Sequence, residues 1–185
     1  MREWVIINGS PRKGMNTDNL LERLMKTDKL KNDSFEIFKL SDHTIGPCKA
    51  CTACIKLGHC IINDDLKIML DAIKKKRKLI CVSPSYHYNV TAQMKCFLDR
   101  LFSLHAFSEE GHSSRLEDDV KAILIGLCAG DNSGLGFTLE AMRRPLEDLE
   151  VQVIAEYKYL NTKVNAVRNN PFVEDELNNL LKDVL

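Results

Sequence analysis

The stretch Trp4-Val-Ile-Ile-Asn-Gly-Ser-Pro-Arg-Lys-Gly-Met-Asn-Thr17 opens on four apolar residues and closes where a helical pattern begins. Trp4 to Ile7 reads as a strand, since a short, continuous apolar run suits a strand covered on both faces. Thr17 to Lys29 reads as a helix carrying Leu20, Leu21, Leu24 and Met25 on one face. Between them lies a polar turn with two glycines. Its N–H groups, with the positive end of the helix dipole, suit a phosphate. Gly9 and Gly14 have P-loop spacing, but Met15-Asn16 stands where that loop has Lys-Ser/Thr, and Gly-x-Gly-x-x-Gly is absent. Triphosphates and Rossmann-type dinucleotides lose ground, and a terminal monophosphate gains. The plain alternative is a solvated strand-to-helix turn.

The same alternation continues. Phe35 to Leu40, Leu79 to Val82, Val120 to Leu127 and Val151 to Tyr159 read as strands. Helical patterns cover about Asp64 to Lys75, Thr91 to Leu104, Leu135 to Leu149 and Val173 to Leu185. Strict alternation implies parallel βαβ units with right-handed crossovers. The first, third and fourth strands are near-continuous apolar runs, whereas the second and fifth are mixed and rank as edges. The expected fold is α/β: a flavodoxin-like, doubly wound, five-stranded parallel sheet of order 2-1-3-4-5, in a single domain over residues 1–185.

Such a sheet binds its ligand beyond the carboxyl ends of the strands, where the strand order reverses. The loop after the third strand, Ser83-Pro-Ser-Tyr-His-Tyr-Asn89, offers two tyrosines and an amide to a flat, polar-edged ring. Cys128-Ala-Gly-Asp131 forms a third wall, whose small residues would let backbone N–H groups approach the ring.

The loop after the second strand carries Cys48, Cys51, Cys54 and Cys60, a C-x2-C-x2-C-x5-C run. Structural zinc takes two close pairs with a longer spacer, which this lacks. In the ferredoxin run C-x2-C-x2-C-x3-C-P the fourth cysteine serves another cluster, and no second run exists here. One self-contained cubane cluster fits the spacing. A metal-free lid with redox-active thiols is the alternative, and a disulfide framework is the weakest reading. The chain has seven cysteines, an odd number, and the expected compartment is the reducing cytoplasm.

Formal net charge is zero, with 44% hydrophobic and 28% charged residues, so no global field recruits nucleic acid or an anionic membrane. No apolar run approaches the roughly 18 residues of a membrane span, and MREWVIINGS lacks the apolar core of a signal peptide. Lys74 to Lys78 falls at a helix C-terminus and reads as a solvated helix end. His43, His59, His105 and His112 lack ligand spacing and read as exposed loop residues. Cys81 and Cys96 read as small core residues. Cys128, at the mouth of the site, is open to either reading.

Taken together, GSPRKGMNT, CKACTACIKLGHCIINDD and SPSYHYNVTAQMKCFLDR resemble the iron–sulfur flavoproteins, a branch of the NADPH-dependent FMN reductase-like group. The resemblance covers roughly residues 3 to 103 and implies a flavodoxin-like fold. It implies that Ser10, Arg12, Asn16 and Thr17 hold an FMN phosphate. It gives Pro84, Ser85, Tyr86, Tyr88 and Asn89 to the flavin ring and ribityl chain. Lys95, Asp99 and Arg100 match a helix signature and read as structural, with Lys95 and Asp99 one turn apart. The glycine-rich third loop is only partly present, at Gly130 and Gly134, and the expected ring contacts there are Ala129 and Gly130.

The expectation is therefore an FMN-dependent oxidoreductase with a [4Fe–4S] cluster on Cys48, Cys51, Cys54 and Cys60, and no side chain acting as acid or base. Its donor would be NAD(P)H or ferredoxin, and its acceptor a small molecule or protein. The rivals are a cluster-free NAD(P)H:flavin or quinone reductase and a non-catalytic flavin carrier or sensor. Neutral charge favours an enzyme over a shuttle, since flavodoxin-type carriers are usually acidic. Family members pair through helices beside the site, which implies a homo-oligomer, dimer or tetramer. Leu101 to Phe107 is the apolar segment that a monomer would struggle to cover.

Overall fold

The computed structural model describes Met1–Leu185. Its sheet runs β1 (Glu3–Asn8), β2 (Ser34–Lys39), β3 (Lys78–Pro84), β6 (Lys121–Leu127) and β7 (Gln152–Tyr159), all parallel, in the order β2-β1-β3-β6-β7. Counting only these strands, the order is the expected 2-1-3-4-5. Helices α1 (Asn16–Lys26), α3 (Leu66–Lys76), α4 (Ala92–Arg100), α6 (Thr138–Glu147) and α7 (Val173–Leu181) cover both faces, and α2 (Ala53–Leu57) and α5 (Asn132–Leu135) are short turns.

The period-two rule decides which side chain goes where. In β1, Trp4 and Ile6 pack with Leu20, Leu21 and Leu24 of α1 and with Val173, Leu177 and Leu181 of α7. Val5 and Ile7 point the other way, into the side chains of α3, α4 and α6. β3 splits in the same manner, with Ile80 and Val82 on the first side and Leu79 and Cys81 on the second. Each such aliphatic side chain taken wholly from water contributes about 1.5–3 kcal/mol before the entropy of ordering it. One-sided patterning would not have served, because both faces are roofed.

Several expectations need correction. The polar segment Leu104 to Asp119, where His105 and His112 read as exposed loop residues, forms an antiparallel hairpin, β4 (His105–Ser108) with β5 (Gly111–Ser114). His105 is consequently buried, not an exposed loop histidine, because it starts a strand that folds back on the domain. The helix expected to run to Leu104 stops at Arg100 and tightens into a 3-10 turn that buries Leu101 and Leu104, leaving only Phe102 in that turn exposed. Leu101 to Phe107 is thus mostly covered by its own chain. Cys81 is fully buried, as a core residue should be, whereas Cys96 lies half-exposed on the outer side of α4.

Candidate functional site

The switch point lies between β1 and β3, and the turn after β1 is pinned to both. The Gly9 N–H donates to the Val82 carbonyl at 2.8 Å, and its own carbonyl accepts the Thr91 hydroxyl at 2.6 Å. A Cβ at Gly9 would stand 2.9 Å from Met94 Cβ, so only glycine lets the turn lie on α4. From below, Asp18 accepts the Asn8 amide at 2.8 Å and the Gly14 N–H at 2.7 Å. Lys39, at the end of β2, donates to Asp18 at 2.6 Å and to the Arg12 carbonyl at 2.9 Å. Asp18 and Lys39 carry this frame, and the sequence reading missed both. The spacing Asn8-x9-Asp18, with a lysine ending the neighbouring strand, is the only trace they leave.

The turn shapes a cavity of about 100 Å³ lined by Ser10, Arg12, Asn16, Thr17, Pro84, Ser85, Tyr86 and Ala129, with Met15, Leu127, Cys128 and Thr162. That is well below the roughly 300–1,000 Å³ of pockets that enclose drug-sized ligands, and it suits one compact group such as a phosphate. Ser10 and Thr17 are buried at its floor. The N-terminus of α1 has no side-chain cap, so its first N–H groups stay available to an anion in the cavity. By contrast, α4 is capped by the Thr91 hydroxyl, which accepts the Met94 N–H at 3.2 Å.

Several expected ligands have other partners. Asn16 Oδ1 accepts the Val167 N–H at 3.0 Å, tying α1 to the segment after β7. The Ser85 hydroxyl donates to the Gly134 carbonyl at 2.7 Å. Asn89 accepts the Val90 N–H at 2.8 Å, and Asn89, Tyr88 and Gly130 lie outside the cavity lining. Tyr88 is left-handed at φ 67° and exposed; Gly136 packs so tightly on it that a Cβ there would meet the Tyr88 carbonyl oxygen at 2.3 Å. The Cys128 thiol is buried and donates to the Gly130 and Asp131 carbonyls, which makes it a brace of the third wall. Thr162 went unnoticed in the sequence, yet the loop after β7 must lie beside the loop after β6, and its N–H bonds the Cys128 carbonyl at 3.0 Å.

The second site is the cysteine loop. Cys48, Cys51, Cys54 and Cys60 line one largely apolar cavity of about 360 Å³, with Ile61, Ile62, Asp99 and Phe102. Ala50 and Thr52 adopt left-handed φ of 50° and 56°, which winds the chain around this cavity. No three of the sulfurs lie within 4.8 Å of one another. Tetrahedral zinc, at about 2.3 Å from each sulfur, would draw them to roughly 3.8 Å. A cubane, whose four irons each take a different thiolate, asks for the wider spread. Burial pushes the Cys54 thiol above its ordinary value, and the neighbouring Cys60, Cys51 and Cys48 sulfurs add repulsion. Such a set becomes favourable when a cationic centre neutralises it.

Arg100 holds the loop in place. Its buried guanidinium pairs with Asp64 and donates to Cys60 Sγ at 3.3 Å, to the Ile62 carbonyl at 3.3 Å and to the Gly46 carbonyl at 3.2 Å. Asp64 also accepts the Gly46 N–H at 2.9 Å. Burial alone would raise the Asp64 carboxyl, but bonds from Arg100, Gly46 and Leu66 outweigh it and hold the carboxyl below its ordinary value. The Lys95–Asp99 pair forms on the surface of α4 as expected. A second cavity of about 470 Å³ lies behind the loop, against Leu66, Leu70 and Arg100 and away from the switch point.

A five-stranded parallel sheet of this order, with helices on both faces, defines a flavodoxin-like α/β domain. More narrowly, the chain belongs to the NADPH-dependent FMN reductase family, whose profile matches residues 3–165. An iron–sulfur flavoprotein of Archaeoglobus fulgidus is 38% identical over 97 residues, 51% of this chain and 43% of that protein. One from Methanosarcina thermophila is 32% identical over 94 residues, 51% of this chain and 49% of that protein. The chain thus matches about half the length of these curated relatives. Among solved structures, NAD(P)H:quinone oxidoreductase from Methanothermobacter marburgensis superposes with a TM-score of 0.77 at 13% identity, over 100% of this chain and 99% of that one. An FMN-dependent NADH-azoreductase from Bacillus anthracis, solved in complex with FMN, gives 0.64 at 16% identity over 97% of each chain. At these identities the likeness carries the fold alone.

Proposed function

We propose that this chain is an FMN-dependent oxidoreductase that moves electrons from NAD(P)H or ferredoxin to an acceptor through FMN and a [4Fe–4S] cluster on Cys48, Cys51, Cys54 and Cys60. The observation that carries the reading is the cavity at the switch point, lined by Ser10, Arg12, Asn16, Thr17, Pro84, Ser85, Tyr86 and Ala129. Membership of the FMN reductase family supports it. FMN accepts a hydride or single electrons, and a cubane cluster passes one electron at a time. The chain's own part is positional. Ser10 and Thr17 donate hydroxyls to the phosphate, Arg12 adds a cation, and Tyr86 flanks the ring. Thiolates in the wound loop hold iron, while the Arg100 guanidinium fixes Cys60 and offsets its charge.

A homo-oligomer is part of the same proposal. Tyr86, Tyr88 and Phe137 are exposed beside the cavity mouth, with the Phe137 N–H bonded to the Tyr88 carbonyl at 2.8 Å. An aromatic patch there suits the face of a second copy that would close over the ring.

Anaerobic purification, followed by assay of FMN, iron and acid-labile sulfide, tests the cofactors. About four irons and four sulfides per cluster-bearing chain support the reading. FMN without iron or sulfide leaves a plain flavin reductase, and protein without FMN removes the proposal. Oxidation of NAD(P)H with a quinone as acceptor tests turnover.

A further inference from the structure

The β4–β5 hairpin brings two histidines together that sequence spacing did not mark. His105 pairs with Ser114 and Phe107 with His112, so His105 and His112 are diagonal neighbours on one hairpin face. Asp148, at the C-terminal end of α6, reaches both: its carboxylate is 3.0 Å from His105 Nε2 and 3.2 Å from His112 Nε2. The ligand atoms of all three lie within 4.8 Å of one another.

His105 is the informative member of this cluster. Its ring is about 95% buried, and Nδ1 lies 3.3 Å from the Phe102 carbonyl oxygen. A carbonyl can only accept, so Nδ1 carries the proton and Nε2 presents a lone pair in the neutral ring. Nε2 has no hydrogen bond despite the carboxylate beside it. Two acceptors 3.0 Å apart repel unless a proton, making an imidazolium–carboxylate pair, or a metal ion lies between them. Tetrahedral bonds of about 2.0–2.2 Å from zinc to imidazole nitrogen and carboxylate oxygen give ligand–ligand edges of roughly 3.3–3.6 Å, and the two nitrogen–oxygen spacings, to the two carboxylate oxygens, fall within a few tenths of an ångström of that range. The Nδ1–H bond to a backbone carbonyl is also how metal-bound histidines are commonly oriented.

We propose that His105, His112 and Asp148 bind a divalent transition metal ion, with zinc as the fitting class. Two imidazoles and one carboxylate form a borderline donor set, distinct from the soft thiolates of the cysteine loop. The ion would staple the hairpin to α6. Phe102 connects the two sites, its ring 5.6 Å from that of His105 and its edge lining the cysteine cavity. Arg115, which follows β5, reaches the Gly58 turn of the cysteine loop. A fixed hairpin therefore backs that loop.

Zinc is the probe. Purified full-length protein, treated with chelator, reloaded with zinc chloride and desalted, is assayed for retained metal and examined by X-ray absorption at the zinc edge. The expected result is zinc held in a nitrogen and oxygen shell near 2.0–2.1 Å, with His112→Gln and Asp148→Asn each lowering affinity at least about tenfold. Both side chains are substantially exposed, at 44% and 57%, so neither substitution threatens the core. Zinc should also raise the melting temperature of the unsubstituted protein and leave that of the variants unmoved. A sulfur shell near 2.3 Å as the sole zinc site, affinity unchanged in both variants, or no retained zinc would each overturn the proposal.

Discussion

The turn after β1 and the loop after β2 sit side by side at the same end of the sheet, yet they are held in opposite ways. The turn is fastened from within: Gly9 bonds the next strand, and Asp18 and Asn8 close it over ten residues. The cysteine loop is fastened from outside, by a guanidinium 36 to 54 residues away that grips both of its ends. A short-range frame makes a rigid turn. A remote anchor allows the loop to depart without disturbing the sheet.

The strongest way to break this contrast is Arg100→Leu. It leaves Asp64 buried and uncompensated, and loss of one partner of such a pair costs about 3–5 kcal/mol. Urea unfolding should show the loss, and hydrogen exchange should rise across residues 46–62 while the turn at 8–17 keeps its protection. Equal loss of protection in both regions would erase the distinction.

Next in size are Ser10→Ala and Thr17→Ala. Each removes a hydroxyl from a charged phosphate, a bond of about 1.5–3 kcal/mol, so FMN affinity should fall roughly 10- to 100-fold per substitution. Equilibrium titration with FMN measures it. Unchanged affinity in the double variant removes the phosphate assignment. Iron content should stay as in the unsubstituted protein, since the cysteine frame is separate.

Acid sharpens the comparison further. The Asp64 carboxyl is depressed on folding from its ordinary 3.8, so its contribution is present above that value and disappears as pH falls through the folded pKa. Stability measured from about pH 5 downward should decline, and Asp64→Asn should flatten that decline. A slope unaffected by the substitution would assign acid sensitivity to other carboxylates, among them Asp33, held low by Arg2 and Trp4 against the opposing effect of burial.

The smallest effect on stability belongs to Phe137→Ser, within about 0.5 kcal/mol because the ring is exposed. Light scattering is its readout. A shift toward monomer supports a second copy covering the aromatic patch, and an unaltered oligomer places the interface elsewhere.

The sheet was legible because its signal is local and repeated. Trp4 to Ile7, Leu79 to Val82 and Val120 to Leu127 each declare a two-faced strand without reference to anything distant. The polar turn between β1 and α1 was legible for the same reason, whereas Ser10, Arg12, Asn16 and Thr17 within it came from the family resemblance, and the fold brings all four to one cavity. The hairpin was not, since Ser108-Glu-Glu-Gly and His112-Ser-Ser carry little apolar alternation. The roles of Arg100, Lys39 and Asp148 were hidden too, because each depends on a partner supplied by another element across the fold. His105 shows the limit most clearly: nothing in its neighbours along the chain declares that Asp148 will meet it.

The anchoring of the cysteine loop also sets an order of events during synthesis. Cys60 emerges from the ribosome 40 residues ahead of Arg100, the side chain that fixes it. At about 5–20 residues per second that is an interval of roughly 2–8 seconds in which four thiols are displayed on an unanchored segment. Iron delivered in that window would meet a floppy chelator free to pair wrongly. On the proposed reading, a cluster on these thiols would be inserted in order only after α4 has been made and packed, which places loading later than the emergence of Arg100.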